Sequence, residues 1–470
     1  MAQLKQDIFK PQPGKVPLRP EVGTKTELSG KAGVGTWLKW IGGYCVYLLY
    51  HIVVSPASFV RLLRRVRRYG FHNSLHIRLF GGAKPPCKDE WVLVVASGQG
   101  ETRTGIQAAE EIGRECKVPI AVLTQLAVLP KAMAVEGSDF PIGFAPFNSP
   151  FSSLITLLRW RPKQLLFVEF SGNYHMAFLA KLLGIPTALI NVNLPEGRMR
   201  KLMRKPLGRW QFSFVDAFSV QAPAHLIRLA ALGVDPGRIT VSGVSMSTMQ
   251  LPAAGADLTA SKWRKVLQIP DDAPVILLGS TYPEEESILA DAYLTVKREF
   301  PKAVLILAPR FLDRKDHPKD WSLTERGIDF ELRSMLDRHE RAADVILIDS
   351  MGELREMYSL ATVAHIGGTL VPGVGGHTPL EALAWGVPFT LGPNFSQQEA
   401  AVEIVTHCGF GVVCRNAQQV SQAWTQALKT PSLRNELKAR AEDVALEFGH
   451  VHAQSYESIQ QTNSALLERR

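Results

Sequence analysis

Five cysteines are few for 470 residues, and Cys45, Cys87, Cys116, Cys408 and Cys414 form neither a C-x-x-C pair nor a zinc spacing. That excludes a disulfide framework and a thiolate metal site, and it fits a reducing, cytosolic compartment. Acidic residues are scarce at the front, where Asp7, Glu21 and Glu27 face six lysines and Arg61, Arg64, Arg65, Arg67, Arg68 and Arg78 within the first 80 positions. The chain as a whole carries 53 Lys and Arg against 44 Asp and Glu, a net charge of +9, so the basic excess belongs to this end. From Ile41 to Val60 there is no Lys, Arg, Asp or Glu at all. An apolar run followed by five arginines in eight residues argues for an anionic membrane surface and against nucleic acid. The run has the length of a span, but His51, Ser55 and Pro56 interrupt it; a spanning helix, an interfacial helix and a buried core helix stay open. Trp37, Trp40, Tyr44, Tyr47 and Tyr50 read as an aromatic belt at a headgroup boundary. The polar leader before the run is too long for a cleaved signal peptide, and residues 1–35, rich in Pro, Gly and Lys, predict disorder.

The remainder is ordinary globular material, with 46% hydrophobic and 21% charged residues and length for two or three domains. From Glu90 onward apolar strands alternate with amphipathic helices: 91–96, 119–124, 164–170, 187–192, 214–221 and 238–243. Such alternation predicts a parallel sheet covered on both faces. Residues 247–262 are small, polar and aperiodic, as in a linker, and the alternation then restarts at 274–280, 303–309, 344–349, 362–368, 387–392 and 409–414. The expected plan is a leader (1–35), a membrane-associated helix (36–68), a Rossmann-like domain (69–246), the linker (247–262), a second Rossmann-like domain (263–430) and a helical tail (431–470), with a cleft between the two domains.

Ligands of open α/β sheets sit beyond the carboxyl ends of the strands, so the turns there carry the chemistry. The most informative is Ala364–Pro393, a strand, a loop with Gly367, Gly368, Gly373, Gly375 and Gly376, and a helix start. Thr378 reads as the N-cap, Pro379 as the first helical residue and Glu381 as the third residue of a capping box. Backbone N–H groups in such a loop suit a phosphate, with His377 at its mouth. Glycine-rich turns also serve only to pack a helix on a sheet, and the loop alone does not separate the two readings. In the first domain Glu101 follows strand 91–96 and Glu169 ends strand 164–170; each is also explicable as a helix-start acid or a buried ion-pair partner. In the second, Ser280-Thr281-Tyr282 with Glu285 and Glu286, Pro309-Arg310 with Asp313 and Arg314, and Asp349 to Glu353 occupy strand ends. Carboxylates collect in the first half and phosphate-type features in the second, a division that suits an acceptor needing a base and a donor carrying phosphate.

In order along the chain these segments resemble the Kdo (3-deoxy-D-manno-octulosonic acid) transferases. GSTYPEEE (279–286) is similar to the family's S-T-H-x-G-E-E, PRFLDR (309–314) to P-R-H-x-E-R, DSMGEL (349–354) to D-T-x-G-E-L, and IGGTLVPGVGGHTPLE (366–381) to V-G-G-S-L-x-x-x-G-G-H-N-x-L-E. VASGQGE (95–101) and FVEFSGN (167–173) are similar to the first-domain motifs H-A-x-S-x-G-E and E-T-E-x-W-P-N. The resemblance implies a GT-B fold, a CMP-Kdo donor, a lipid A precursor as acceptor, inversion at the anomeric carbon, and work at the cytoplasmic face of an inner membrane. It implies Glu101 as general base, Glu169 in support, and Gly100 and Asn173 on the acceptor side. It assigns Ser280, Thr281, Arg310, Met351, Gly352, Glu353, Gly375, Gly376, His377, Thr378 and Glu381 to the donor. No D-x-D motif occurs, in keeping with a fold that stabilises the leaving phosphate by dipoles and basic side chains without a metal or other cofactor. The departures fall mostly on the first-domain motifs: Val95 and Gly98 stand where the family has His and Ser, Phe167 where it has Glu, and Ser171-Gly172 where it has Trp-Pro. SGVSM (242–246) lacks the family's Asn and Lys, and Phe311 and Thr378 replace a His and an Asn. Another nucleotide sugar or acceptor, or a non-catalytic binder, are the alternatives.

Overall fold

A computed structural model describes residues 8–11, 42, 44–45, 85–86, 90–124, 140–169, 173–205, 208–245, 256–312, 323–448 and 450–467. The chain divides into two compact units, one of Leu18–Thr248 with His450–Arg470, the other of Met1–Pro17 with Met249–Gly449. We call them the first and second units.

The first unit holds β1 (Val92–Ala96), α1 (Gln99–Cys116), β2 (Ile120–Thr124), β3 (Ile142–Phe144), β4 (Gln164–Val168), α2 (Tyr174–Leu182), β5 (Thr187–Val192), β6 (Ala217–Val220) and β7 (Ile239–Val241). All pairings are parallel and the order is β3-β2-β1-β4-β5-β6-β7. Alternate residues of a strand face opposite sides, and the core follows that rule. Leu93, Val95, Leu165 and Phe167 join one cluster with Trp160, Phe178 and Phe214. Val92, Val94, Leu166 and Val168 join the other with Ile106, Ile112, Tyr456 and Ile459. Tyr456 and Ile459 come from the last helix, Val451–Leu467, so part of the predicted tail belongs to this unit.

The second unit holds α3 (Ala256–Val266), β8 (Val275–Thr281), α4 (Pro283–Glu299), β9 (Val304–Pro309), β10 (Phe330–Leu332), β11 (Val345–Leu347), β12 (Val363–Ile366), α5 (Leu380–Ala384), β13 (Phe389–Leu391), β14 (Gly411–Val413), α6 (Ala417–Lys429) and α7 (Leu433–Phe448). Its parallel sheet runs β10-β11-β9-β8-β12-β13-β14. In the first sheet the chain reverses its direction of growth between β1 and β4; in the second, β9, β10 and β11 lie on one side of β8 and β12, β13 and β14 on the other, so the switch falls between β8 and β12. A crevice opens at such a switch point.

Several expectations need correction. β3 and β10 were not expected; both are three-residue strands, half-buried at the sheet edge, too short to show a period. α3 starts inside the stretch read as linker, because Trp263 is an anchor that buries to 5% exposure. Phe9, within the leader expected to be disordered, is 4% exposed; its carbonyl oxygen lies where a side chain at Gly409 would go, and the Ile8 N–H reaches Gln426. Tyr44 is no headgroup-belt residue: it stacks on Phe178 at 3.7 Å and its hydroxyl meets His175 Nδ1 at 3.0 Å. Burial pushes its phenol up to about 12. Most of 36–68 lies outside the described residues, as do Asp313, Arg314, Ser171 and Gly172. Among the described residues no helix is long and apolar enough to cross a membrane.

Candidate active site

In the first unit the switch point places Glu101, just after β1, beside Glu169 at the end of β4. Glu101 is the third residue of α1, the position from which a carboxylate reaches back to the cap. Its Oε2 accepts from the N–H groups of Ser97 at 2.9 Å and Gly98 at 3.1 Å. Gly98 has no side chain to return the bond, and the Thr102 hydroxyl, donating to the Gly98 carbonyl at 2.8 Å, fixes the turn instead. Glu101 remains half-buried, open on one side. Glu169 sits in the left-handed region at φ 51°, a costly conformation for a residue with a Cβ. Its N–H donates to Ile190 at 2.9 Å. Burial first, and then the charge of Glu101, push its carboxyl up to about 7, with Arg198 acting in the other direction. One carboxylate thus tunes the other, the pattern expected of an acid–base pair. Asn173 is buried and precedes α2, where its side chain makes no cap bond, and Gly100 is exposed with open space around it.

In the second unit the switch point brings together the turn after β8 and the loop after β12. Ser280 adopts φ 59°, and the Thr281 hydroxyl donates to buried Glu286 at 2.9 Å, so that proton is spent inside the protein. Gly367 passes so close to β8 that a Cβ would stand 2.3 Å from the Ser280 carbonyl oxygen. The loop folds back on itself: the N–H of Gly376 donates to Gly368 and that of His377 to Gly367, with Gly376 at φ 80°. The Gly367 N–H goes to Gly279, and those of Gly368 and Leu370 go to the Glu285 carboxylate. These five N–H groups, three of them from glycines expected from sequence to meet a phosphate, are therefore committed internally. The helix start differs too. Pro379, not Thr378, is the N-cap, Thr378 Oγ1 accepting from Leu380 N–H at 3.4 Å, and α5 is only five residues long. It ends at Gly386, φ 64°, where α7 leaves no room for a side chain. So short a helix has a small dipole.

Side chains are also available to an anion. Arg310 is exposed at the end of β9, with its N–H on the Thr281 carbonyl at 2.9 Å. The His377 ring stacks on Tyr282, centroids 5.8 Å apart at 19°, and Phe311 meets Tyr282 edge-on. Burial and then Arg310 push His377 below its ordinary value, so it is neutral near pH 7. Its Nε2 is buried with no hydrogen-bond partner among the described residues. The next turn is pinned from the helical turn after β10: Glu353 accepts from the Ser350 hydroxyl and lies 3.5 Å from Arg333 Nε, and Asp349 accepts from the Ser334 N–H. Gly352 turns the chain at φ 92°, leaving Met351 79% exposed. Glu381 is half-buried, and its charge reaches the buried phenol of Tyr358. Sequence reasoning placed Glu285 near a strand end without giving it a role, and passed over His365 and Arg198. The capping-box spacing was visible for Glu285, but its reach to another strand's loop was not.

The model of the 3-deoxy-D-manno-octulosonic-acid transferase (kdotransferase) family matches residues 65–245. The transferase of that name from Chlamydophila psittaci is 31% identical over 303 residues, 63% of this chain and 67% of the relative. The chain belongs to the 3-deoxy-D-manno-octulosonic acid transferase family. The Chlamydia pneumoniae member is 26% identical over 397 residues, 79% of this chain and 86% of its own. A glycosyltransferase from Rickettsia africae superposes over 80% of this chain and 99% of its own with a TM-score of 0.54 at 13% identity, a likeness of fold. The fold is of the GT-B type and the protein is a glycosyltransferase of the Kdo transferase family, which joins an activated sugar to an acceptor.

Proposed function

We propose that this enzyme moves Kdo from CMP-Kdo to a lipid A precursor with inversion, Glu101 acting as general base. The observation that carries the reading is the carboxylate pair at the first switch point, where Glu101 is held by two backbone donors and Glu169 is pushed up to about 7. Inversion is a single displacement: the acceptor oxygen bonds to the anomeric carbon, the bond from that carbon to the CMP phosphate oxygen breaks, and the hydroxyl proton passes to Glu101. A sugar hydroxyl is too weak an acid to attack unaided, and a positioned base contributes roughly 10²–10⁴-fold. CMP departs with the bonding pair, and Arg310 would be the cation that meets that charge. No resident metal or other cofactor enters this scheme. The Gly375–His377 stretch would shape the donor site mainly through the His377 ring. The front end of the chain, with its arginines after an apolar run, supports docking on the anionic cytoplasmic face of an inner membrane, where a lipid acceptor is presented.

The deciding experiment incubates the protein with CMP-Kdo and lipid A precursor and follows CMP release together with the mass of the lipid. CMP release without a mass gain would mean hydrolysis or a different acceptor. A second assignment is favoured by one observation: Glu101 already serves its own helix start, while a carboxyl near 7 is the better match for a base at neutral pH. In that case Glu169 takes the proton.

A further inference from the structure

Glu101 and Glu285 occupy equivalent places. Each is the third residue of the helix that follows the strand at its unit's switch point, and each reaches back to the cap N–H, Glu285 Oε1 accepting from Tyr282 at 3.1 Å. Their burial separates them. Glu101 keeps an open side, whereas Glu285 is fully buried and out of a ligand's reach.

A capping carboxylate normally lies in solvent, and burying one is costly unless each oxygen finds partners. Glu285 finds them on another strand's loop: Oε1 accepts from the Gly368 N–H at 2.6 Å and Oε2 from the Leu370 N–H at 3.1 Å. Behind it stands a second buried group, His365 on β12, with Nε2 3.9 Å from Oε2. The His365 Nδ1 meets the Thr390 hydroxyl at 2.9 Å, and that hydroxyl accepts from the Trp424 indole N–H at 3.1 Å. An indole N–H only donates, so the Thr390 proton goes either to Nδ1 or to the Ala364 carbonyl oxygen at 3.4 Å; the shorter contact, to Nδ1, would leave the Nε2 proton facing Glu285. Burial alone would push the Glu285 carboxyl up, but His365 and the N–H groups of Gly368 and Leu370 outweigh it and hold it below the usual range.

This carboxylate grips His377 from two sides. It holds the Tyr282 backbone, whose ring stacks on His377, and it holds Gly368, next to the Gly367 carbonyl that takes the His377 N–H. We propose that Glu285 is the positioning residue of the donor loop, fixing through Tyr282 and Gly368 the place where the His377 ring meets the donor. The proposal rests on the donor reading of this loop. A ring displaced by an ångström is enough to lose most of an oriented contact.

The test uses the full chain with Glu285→Gln and Glu285→Ala, and reads CMP affinity by calorimetry, amide exchange at Gly368 and Leu370, and thermal unfolding. Gln keeps one oxygen for Tyr282 and Gly368 but turns its NH₂ toward Leu370 N–H, so affinity should fall about tenfold. Ala leaves three N–H groups without an acceptor, and affinity should fall about a hundredfold, with faster exchange at both amides. A purely structural role would lower the unfolding midpoint while the folded protein bound CMP as the wild type does, and that result overturns the proposal. So does wild-type exchange at both amides in the Ala variant. If the wild-type protein itself ignores CMP, the donor reading fails, and the exchange arm still decides whether Glu285 sets the loop.

Discussion

Replacing Glu101 by Gln separates its two possible jobs. A single oxygen, Oε2, accepts both backbone N–H groups at the start of α1, and a Gln oxygen can do the same. The cost to the helix start should therefore stay under about 1 kcal/mol, the value of an ordinary cap bond. Chemistry should respond far more, since the amide cannot take a proton: turnover should drop roughly 10²–10⁴-fold. The substitution also removes the negative charge that helps push Glu169 up, so the Glu169 carboxyl should titrate at lower pH. The assay is CMP release under saturating donor, run across pH for wild type, Glu101→Gln and Glu169→Gln, with thermal unfolding as the control for folding. Near wild-type turnover in Glu101→Gln, together with an inactive Glu169→Gln and a wild-type rate that rises through about pH 7, would refute the assignment and make Glu169 the base.

Arg310→Ala should weaken CMP binding by roughly 1.5–3 kcal/mol, a charge-assisted contact, and His377→Ala by only about 0.5–1.5 kcal/mol because that ring is neutral, both read by calorimetry. Because the folded-state value of Glu169 is raised from 4.5 to about 7, its contribution to stability is complete below pH 4.5 and is lost as pH rises through 7. Denaturant unfolding at the two ends should differ by up to roughly 3 kcal/mol from this group, and Glu169→Gln should abolish that difference. Full-length protein should sediment with anionic vesicles and lose that property on deletion of residues 1–70; indifference to such vesicles would remove the membrane reading.

Both sheets were legible because their strands are buried on two faces and so read as unbroken apolar runs, from Val92–Ala96 to Phe389–Leu391. β3 and β10 were not, since an edge strand of three residues carries no such run. Glu101, Glu169 and Ser280 were legible as residues at strand ends, and His377 as the residue at the mouth of the glycine-rich loop. The commitments of the loop N–H groups were hidden, because Glu285 lies 83 positions before the Gly368 that it holds, and spacing along a chain does not report such a bond. Tyr44 was misread for a related reason: an aromatic residue in an apolar run packs equally well on lipid or on Phe178, and only the fold chooses.

The helix Val451–Leu467 supplies Tyr456 and Ile459 to the first unit's core, and its Ala453 N–H meets buried Glu111 of α1 at 2.9 Å. During synthesis the strands of this unit, Val92 to Val241, leave the ribosome well before Val451–Leu467 and lack that layer until the helix follows. Their sheet face must wait, partly uncovered, while residues 249–449 of the second unit are made. The sheet of the first unit is therefore made before residues 249–449 of the second and covered after them, so a nonsense mutation near residue 450 should yield an intact second unit joined to a first unit prone to aggregation and proteolysis.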